Sequence, residues 1–443
     1  MDTPICDFVN NYIKENSLRL HMPGHKGKEL LGFEKYDITE VRGADCLYTA
    51  EGIIKKSEEN AARLFGSSAT FYSCEGSSLT VRAMLYLVKA YAISRGDESP
   101  YVLSGRNAHS SFVSGCALND LEVKWLYPDE SESYLSCRVT AEKLEKALGS
   151  VDKAPACVYI TSPDYLGNMC DISALSGVCE KYGVPLVVDN AHGAYLKFLE
   201  KDLHPISLGA AMCADSAHKT LPALTGAGYL HISKGAPEFF KENARLALSL
   251  FGSTSPSYLI LQSLDTVNKY IAEGYEKRLK DFAFALEKSA KKFPFIKQNE
   301  PLKLTLDTCK IGYRGGDFAK ILEKKGIVCE FFDRDTLVLM LTPENGEDGI
   351  KRLFEILGEI EIKAPLAKEA HTIAPPRRIM SIREALFSPR EQVKTENALG
   401  RALACANISC PPAVSPIVGG EEINQSVIDL CAYYGIDTLF VVK

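Results

Sequence analysis

From about residue 60 to residue 235, apolar runs of β character alternate with stretches of helical periodicity. The runs are ATFYSC, YVLSG, EVKWLYP, ACVYITSP, VPLVVDN, GAAMCAD and GAGYLHIS. Strands separated by helical stretches predict βαβ crossovers, and therefore an α/β domain with a mostly parallel sheet and helices on both faces. Ligand sites in such sheets lie at the carboxyl ends of the strands. The first sixty residues carry short polar breaks and predict an irregular arm with a short helix, leading into the helical pattern IIKKSEENAARLFG. Residues 236–291 are helix-rich and include GYEKRLKDFAFALEKSAKKF, whose basic face reads as a solvated helix surface. A second alternating region runs from LKLTLD through TLVLMLTP and the Pro-rich break IKAPLAKEAHTIAPPRR to the closing strand DTLFVVK. The expected organisation is an arm over 1–60, a large domain over 61–290 and a smaller C-terminal α+β domain over 291–443.

Composition narrows the function classes. The 443 residues carry 51 Lys+Arg against 57 Asp+Glu, a net charge of −6, with 46% hydrophobic positions. That balance gives no general attraction to nucleic acid or to an anionic membrane, so neither is expected as a partner. No run approaches the roughly 18 apolar residues of a membrane span, and MDTPICDFVNNYIKEN lacks a basic segment followed by an apolar core. The expected location is the cytoplasm. The 14 cysteines are scattered, often within apolar strings, which predicts buried reduced thiols rather than a disulfide framework. No CxxC pair or Cys/His spacing suggests a metal site, and Cys405 with Cys410 is too sparse to change that. HKGKEL has the Gly and Lys of a phosphate loop without its spacing or preceding strand.

The informative residues stand at the ends of the expected strands. After ATFYSC come Glu75, Gly76, Ser77 and Ser78 and then a helical run, so backbone N–H groups, two hydroxyls and a helix dipole converge as an anion site. After YVLSG come Arg106, Asn107, Ala108 and His109 at a strand-to-helix junction. After VPLVV come Asp189, Asn190, Ala191, His192 and Gly193, an acid that needs a cation or strong donors in such a setting. After GAAMCAD come Ser216, Ala217, His218, Lys219 and Thr220. Singly, these admit a helix cap, a hydrogen-bonded histidine, a structural ion pair and a solvated lysine. Jointly, at equivalent ends of successive βα units, they describe a site for pyridoxal 5'-phosphate. Lys219 would hold it as a covalent aldimine, Asp189 would keep the pyridine nitrogen protonated, and the Gly76–Ser78 turn with Ser216 and His218 would bind the phosphate. His109 would stack on the ring, and His192 would lie among the cofactor-binding groups.

These residues sit in a series of blocks that resembles the bacterial Orn/Lys/Arg decarboxylases of fold-type I. The blocks are HMPGHKG, DITEVRGADCLYTAEGII, FYSCEGSS, GRNAHSSF, SPDYLGNMCDI, VDNAHGAYLKF, DSAHKTLPALTGAGYLH, GSTSPSYLILQSLD and CPPAVSPIV, in that order. The resemblance implies the same roles for Lys219, Asp189 and His109, and phosphate contacts from Ser77, Ser78, Ser216 and His218. It also implies a homodimer, or a larger assembly, with shared active sites, in which the turn Ser253, Thr254 and Ser255 reaches the phosphate of a neighbouring subunit. The chain starts almost at the HMPGHKG arm and so looks like the short form without an N-terminal wing domain. Asp164, Tyr195 and Leu196 depart from the expected pattern, as does the VGGEE segment around Glu421, which bears on substrate choice.

The expected reaction is α-decarboxylation of arginine, lysine or ornithine to the amine and carbon dioxide, one route into polyamines. Lys219 or His218 would return a proton to Cα, with His109 as the next candidate. A cationic substrate side chain calls for an acidic partner, and Glu40, Asp45 and Glu421 are the suggestions. An aminotransferase or side-chain lyase would use the same cofactor and would usually anchor the carboxylate with an arginine such as Arg42 or Arg106. A non-catalytic regulatory homologue would have no need of Lys219 and Asp189.

Overall fold

The computed structural model describes residues 1–128, 135, 137–368, 374–408 and 414–443. Cys410, the beginning of the CPPAVSPIV block and the middle of the Pro-rich break lie outside them. The elements run in the order α1 (Pro4–Lys14), α2 (Ile53–Phe65), β1 (Ala69–Ser73), α3 (Gly76–Ser94), β2 (Tyr101–Gly105), α4 (Ser110–Asn119), β3 (Glu122–Leu126), α5 (Ala141–Gly149), β4 (Cys157–Thr161), α6 (Ile172–Lys181), β5 (Leu186–Asp189), β6 (Met212–Asp215), α7 (Ala217–Thr220) and β7 (Gly228–Ile232). There follow α8 (Glu238–Ser249), α9 (Tyr258–Ala272), α10 (Tyr275–Ala290), β8 (Ile296–Glu300), β9 (Lys303–Asp307), α11 (Gly315–Lys324), β10 (Phe331–Phe332), β11 (Thr336–Met340), α12 (Gly346–Gly358), α13 (Ile382–Phe387), β12 (Arg390–Lys394), α14 (Gln425–Tyr434) and β13 (Thr438–Val442).

The first seven strands form a mostly parallel sheet in the order β1-β7-β6-β5-β4-β2-β3. Pairs β5/β6 and β2/β3 are parallel, whereas β7 is antiparallel to both of its neighbours. The α/β class read from the alternation is therefore the observed one, with a smaller antiparallel sheet in addition. Two compact units are present: Met1–Ser99 with Ala156–Val158 and Ile172–Arg278, and Pro100–Pro155 with Tyr159–Asp171 and Leu279–Lys443.

In the first unit every residue of β5, β6 and β7 is buried. Strands covered on both faces favour such near-continuous apolar runs, and each fully buried aliphatic side chain contributes about 1.5–3 kcal/mol. Helix α2 buries Ile54, Ser57, Glu58, Ala61 and Phe65, the i, i+3, i+4, i+7 face of one helix, and ends at Gly66 in the left-handed conformation. Asp265 on α9 accepts hydrogen bonds from the Ile5 and Cys6 N–H groups at 2.9 and 3.0 Å and from Ser57 Oγ at 2.6 Å. It thereby pins the start of α1. Because β1 and β6 are both antiparallel to β7, and β6 is parallel to β5, the carboxyl ends of β1, β5 and β6 share one edge.

The second unit holds β2 and β3, a four-stranded antiparallel sheet in the order β10-β11-β9-β8, and the antiparallel pair β12/β13. Leu403, Ile417, Ile423, Val427 and Val441 form a core beneath that pair. The 13 described cysteines are free thiols, and no helix among the described residues is long and apolar enough to cross a membrane.

Candidate active site

Three chain reversals at the shared edge of the first unit build the site. The turn after β1 is drawn tight by Gly76, whose φ of +66° favours glycine and whose N–H donates to Gly226 O at 2.7 Å. Ser73 Oγ donates to Gly76 O at 2.8 Å. Helix α3 then begins with no side-chain cap, because the Glu75 carboxylate turns to accept the Ser253 N–H at 2.7 Å. An uncapped helix start with Ser77 and Ser78 in its first turn suits a phosphate.

The second reversal follows β6. Ser216 Oγ donates to Ser77 Oγ at 2.8 Å, which joins the ends of β6 and β1. His218 Nδ1–H donates to Ala227 O at 2.8 Å, which fixes the tautomer. Close approach here depends on glycine: a Cβ on Gly228 would lie 2.9 Å from the carbonyl carbon of Gly76 and 3.1 Å from Asp215 O. TGAG after the lysine segment is the sequence signal of that packing.

The third reversal follows β5. Asp189 is paired in register with Ala214 on β6 and is buried, and the Ala191 N–H donates to its carboxylate at 3.2 Å. His192, three residues on, is also buried, and its Nε2 lies 3.0 Å from Lys219 Nζ. The first unit thus brings together Gly76, Ser77, Ser78, Asp189, His192, Ser216, His218 and Lys219. Thr254 lies on the exposed Ser253–Ser255 turn. His109 belongs to the second unit, where it caps α4 by accepting the Ser111 N–H and lies 2.8 Å from Ser111 Oγ.

The acidic candidates have defined partners. Asp45 caps the start of α2, accepting from the N–H groups of Cys46, Glu51, Gly52 and Ile54. Burial raises its carboxyl, but those four donors outweigh that and lower it. Glu421 is ion-paired with Arg106 at 2.8 Å and also accepts the Val418 N–H. Glu40 and Arg42 are exposed. Asp164 is buried and binds the N–H groups of Leu166 and Asn168 in its own loop. Tyr195 and Leu196 are buried.

One cluster escaped the sequence reading. His204, Asp215 and His231 converge with ligating atoms within 4.8 Å of one another, and all three are fully buried. They are far apart in sequence, so spacing gives no signal. His204 Nε2 lies 2.9 Å and His231 Nε2 3.3 Å from Asp215 Oδ2. Burial pushes the Asp215 carboxyl up, but the two histidines outweigh it and hold it well below the usual carboxylate range. Burial lowers His231, against the opposing pull of Asp215.

The residues fit a phosphorylated pyridine cofactor on structural grounds. The uncapped helix start offers N–H groups to a phosphate, glycines clear the approach, a buried carboxylate stands at the end of β5, and a lysine amine faces the same edge. A model of the Orn/Lys/Arg decarboxylase major domain matches residues 3–293. The chain is 29% identical to the uncharacterized Bacillus subtilis protein YaaO, over 97% of this chain and 93% of that one. It is 25% identical to a Bacillus subtilis arginine decarboxylase, over 96% and 92%. Its fold matches that of the Francisella novicida lysine decarboxylase LdcF with a TM-score of 0.80 at 16% identity, covering 100% of this chain and 81% of the other.

Proposed function

As the chain belongs to the Orn/Lys/Arg decarboxylase family, we propose that it decarboxylates a basic amino acid at Cα, with arginine or lysine as the substrate class. The observation that carries this reading is the arrangement at one sheet edge: Lys219 beside His192, Asp189 at the end of the adjacent strand, and Ser216 bonded to Ser77 at the uncapped start of α3. When bound, pyridoxal 5'-phosphate supplies the electron sink that accepts the electron pair left as carbon dioxide departs.

The side chains divide the remaining work. Lys219 Nζ would be the group that holds the cofactor covalently, and it would give up that place to the amine of the substrate. The buried Asp189 carboxylate would hold the ring nitrogen in its protonated form. Ser77, Ser78, Ser216 and the α3 N–H groups would take the phosphate, with Gly76 letting the backbone approach. His218, tied through Nδ1 to Ala227 O, has a fixed ring orientation, and its Nε2 would be available to the phosphate. The close pair of Lys219 and His192 would hold the proton that is returned to Cα. His109 would be the residue to stack on the ring, as the family resemblance implies.

The same reading includes a homodimer. Leu18, Leu20, Leu30 and Leu31 are 83%, 82%, 83% and 77% exposed in the arm, an apolar load that a second copy would cover. The exposed Ser253–Ser255 turn, with Thr254 at its centre, would then reach the neighbouring subunit's phosphate. The amine product would enter polyamine formation.

Purified protein given the cofactor is assayed for amine and carbon dioxide from arginine, lysine and ornithine, with Lys219→Ala as control. Release from arginine or lysine, abolished in the variant, is expected. Formation of a keto acid instead, or no turnover of any of the three, overturns the proposal.

A further inference from the structure

Asp215 is a fully buried carboxylate to which the catalytic reading above gives no task. Its Oδ1 accepts from Asn190 Nδ2 at 2.8 Å and from Cys213 Sγ at 3.1 Å, and its Oδ2 faces His204 at 2.9 Å and His231 at 3.3 Å. His231 Nδ1 in turn lies 2.8 Å from Thr70 Oγ1 on β1. Burying a carboxylate and two imidazoles between strands is costly unless donors surround the charge, and an aliphatic residue would fill the space at less cost.

We propose that Asp215 is a positioning residue that couples the two halves of the cofactor site, the Asp189 loop and the Ser216–Lys219 segment. The inference rests on the cofactor reading given above. Two observations carry it. Asn190 immediately follows Asp189, and Asp215 orients its amide from one end only: Asn190 Oδ1 is buried without a hydrogen-bond partner among the described residues. Gly193 is required by the same arrangement, since a Cβ there would lie 2.0 Å from Asn190 Oδ1. On the other side, Asp215 immediately precedes Ser216, so the same residue sets where the next strand delivers its serine, histidine and lysine. The Asn190 N–H to Ala214 O bond at 2.9 Å completes the tie between the two strand ends.

Three variants test this by cofactor affinity and stability, independent of turnover. Asn190→Ala removes the clamp alone, Asp215→Asn removes the charge with its shape kept, and Thr70→Val removes only the far end of the network. Titration of cofactor-depleted protein with pyridoxal 5'-phosphate is expected to give a dissociation constant raised about tenfold in Asn190→Ala, the loss of one charge-assisted hydrogen bond. Its apo-protein melting midpoint should fall no further than that of Thr70→Val. Thr70→Val is expected to lower that midpoint while keeping the affinity within about twofold of wild type. Asp215→Asn, where it folds, should weaken binding more than Asn190→Ala. Wild-type affinity in Asn190→Ala overturns the inference, and so does equal weakening in Thr70→Val, which would make the network a purely structural element. A wild-type chain that takes up no cofactor ends the reading of the site itself, and is distinguished before any variant is compared.

Discussion

Removal of either partner of the Arg106–Glu421 pair should destabilise the second unit far more than a surface ion pair would. Their side chains are 6% and 3% exposed and meet at 2.8 Å. At an effective dielectric constant of about 20, unit charges at that separation attract by roughly 6 kcal/mol. Desolvation offsets much of this, yet leaving one charge buried without its partner costs about 3–5 kcal/mol. The guanidinium also lies over the Trp125 ring at 4.9 Å and the Tyr127 ring at 5.8 Å. Glu421→Gln retains an acceptor for the Val418 N–H and should fall at the lower end of that range, and Arg106→Met at the upper end. The double variant Arg106→Met/Glu421→Gln should cost at least about 2 kcal/mol less than the sum. Trp125 is the single tryptophan of the chain, so its fluorescence follows urea unfolding beside the pair. Additivity of the two single variants within about 0.5 kcal/mol would refute the reasoning. Burial raises the Glu421 carboxyl, with Arg106 opposing. The cost of Arg106→Met should therefore shrink as the pH is lowered and Glu421 takes up a proton.

Acid stability should fall in two stages. The folded His231 is depressed below its unfolded value, so its contribution is complete above about pH 6.5 and is lost as the pH falls. Asp215 is likewise depressed, and its contribution is lost below about pH 4. Thermal midpoints of Asp215→Asn across this range should show the lower stage flattened, and an unchanged acid limb would contradict it. Asp265→Ala leaves the Ile5 and Cys6 N–H groups without an acceptor and should cost about 2–3 kcal/mol. Amide exchange should accelerate at the start of α1, and unchanged protection there would contradict the pinning role. Gly228→Ala meets backbone at 2.9 Å. It should weaken cofactor binding at least about tenfold by parting β7 from the α3 turn, and a spectrophotometric titration with wild-type affinity would exclude that.

The central strands were readable because strands buried on both faces are continuous apolar runs, as in VPLVVD and AAMCAD. Strand β8 (IKQNE) and strand β12 (REQVK) were not, because an edge strand with solvent on one side keeps its polar residues, and FF in β10 is too short to carry a period. At the site, sequence supplied the residues at the strand ends but not their partners. That Lys219 meets His192 across 27 residues, or that Asp215 gathers His204 and His231, is decided by sheet order, which no local spacing encodes. The same is true of Asp45 and Glu421. As letters they were candidate partners for a cationic substrate, whereas in the fold one caps a helix and the other neutralises Arg106.

Carboxyl-labelled arginine and lysine turned over in deuterated water test the decarboxylase reading most directly. The label should leave entirely as carbon dioxide, and the amine should carry a single solvent deuteron at the former Cα, with neither event in Lys219→Ala. Label retained in a keto acid, or product formed by the Lys219→Ala variant at the wild-type rate, would contradict it.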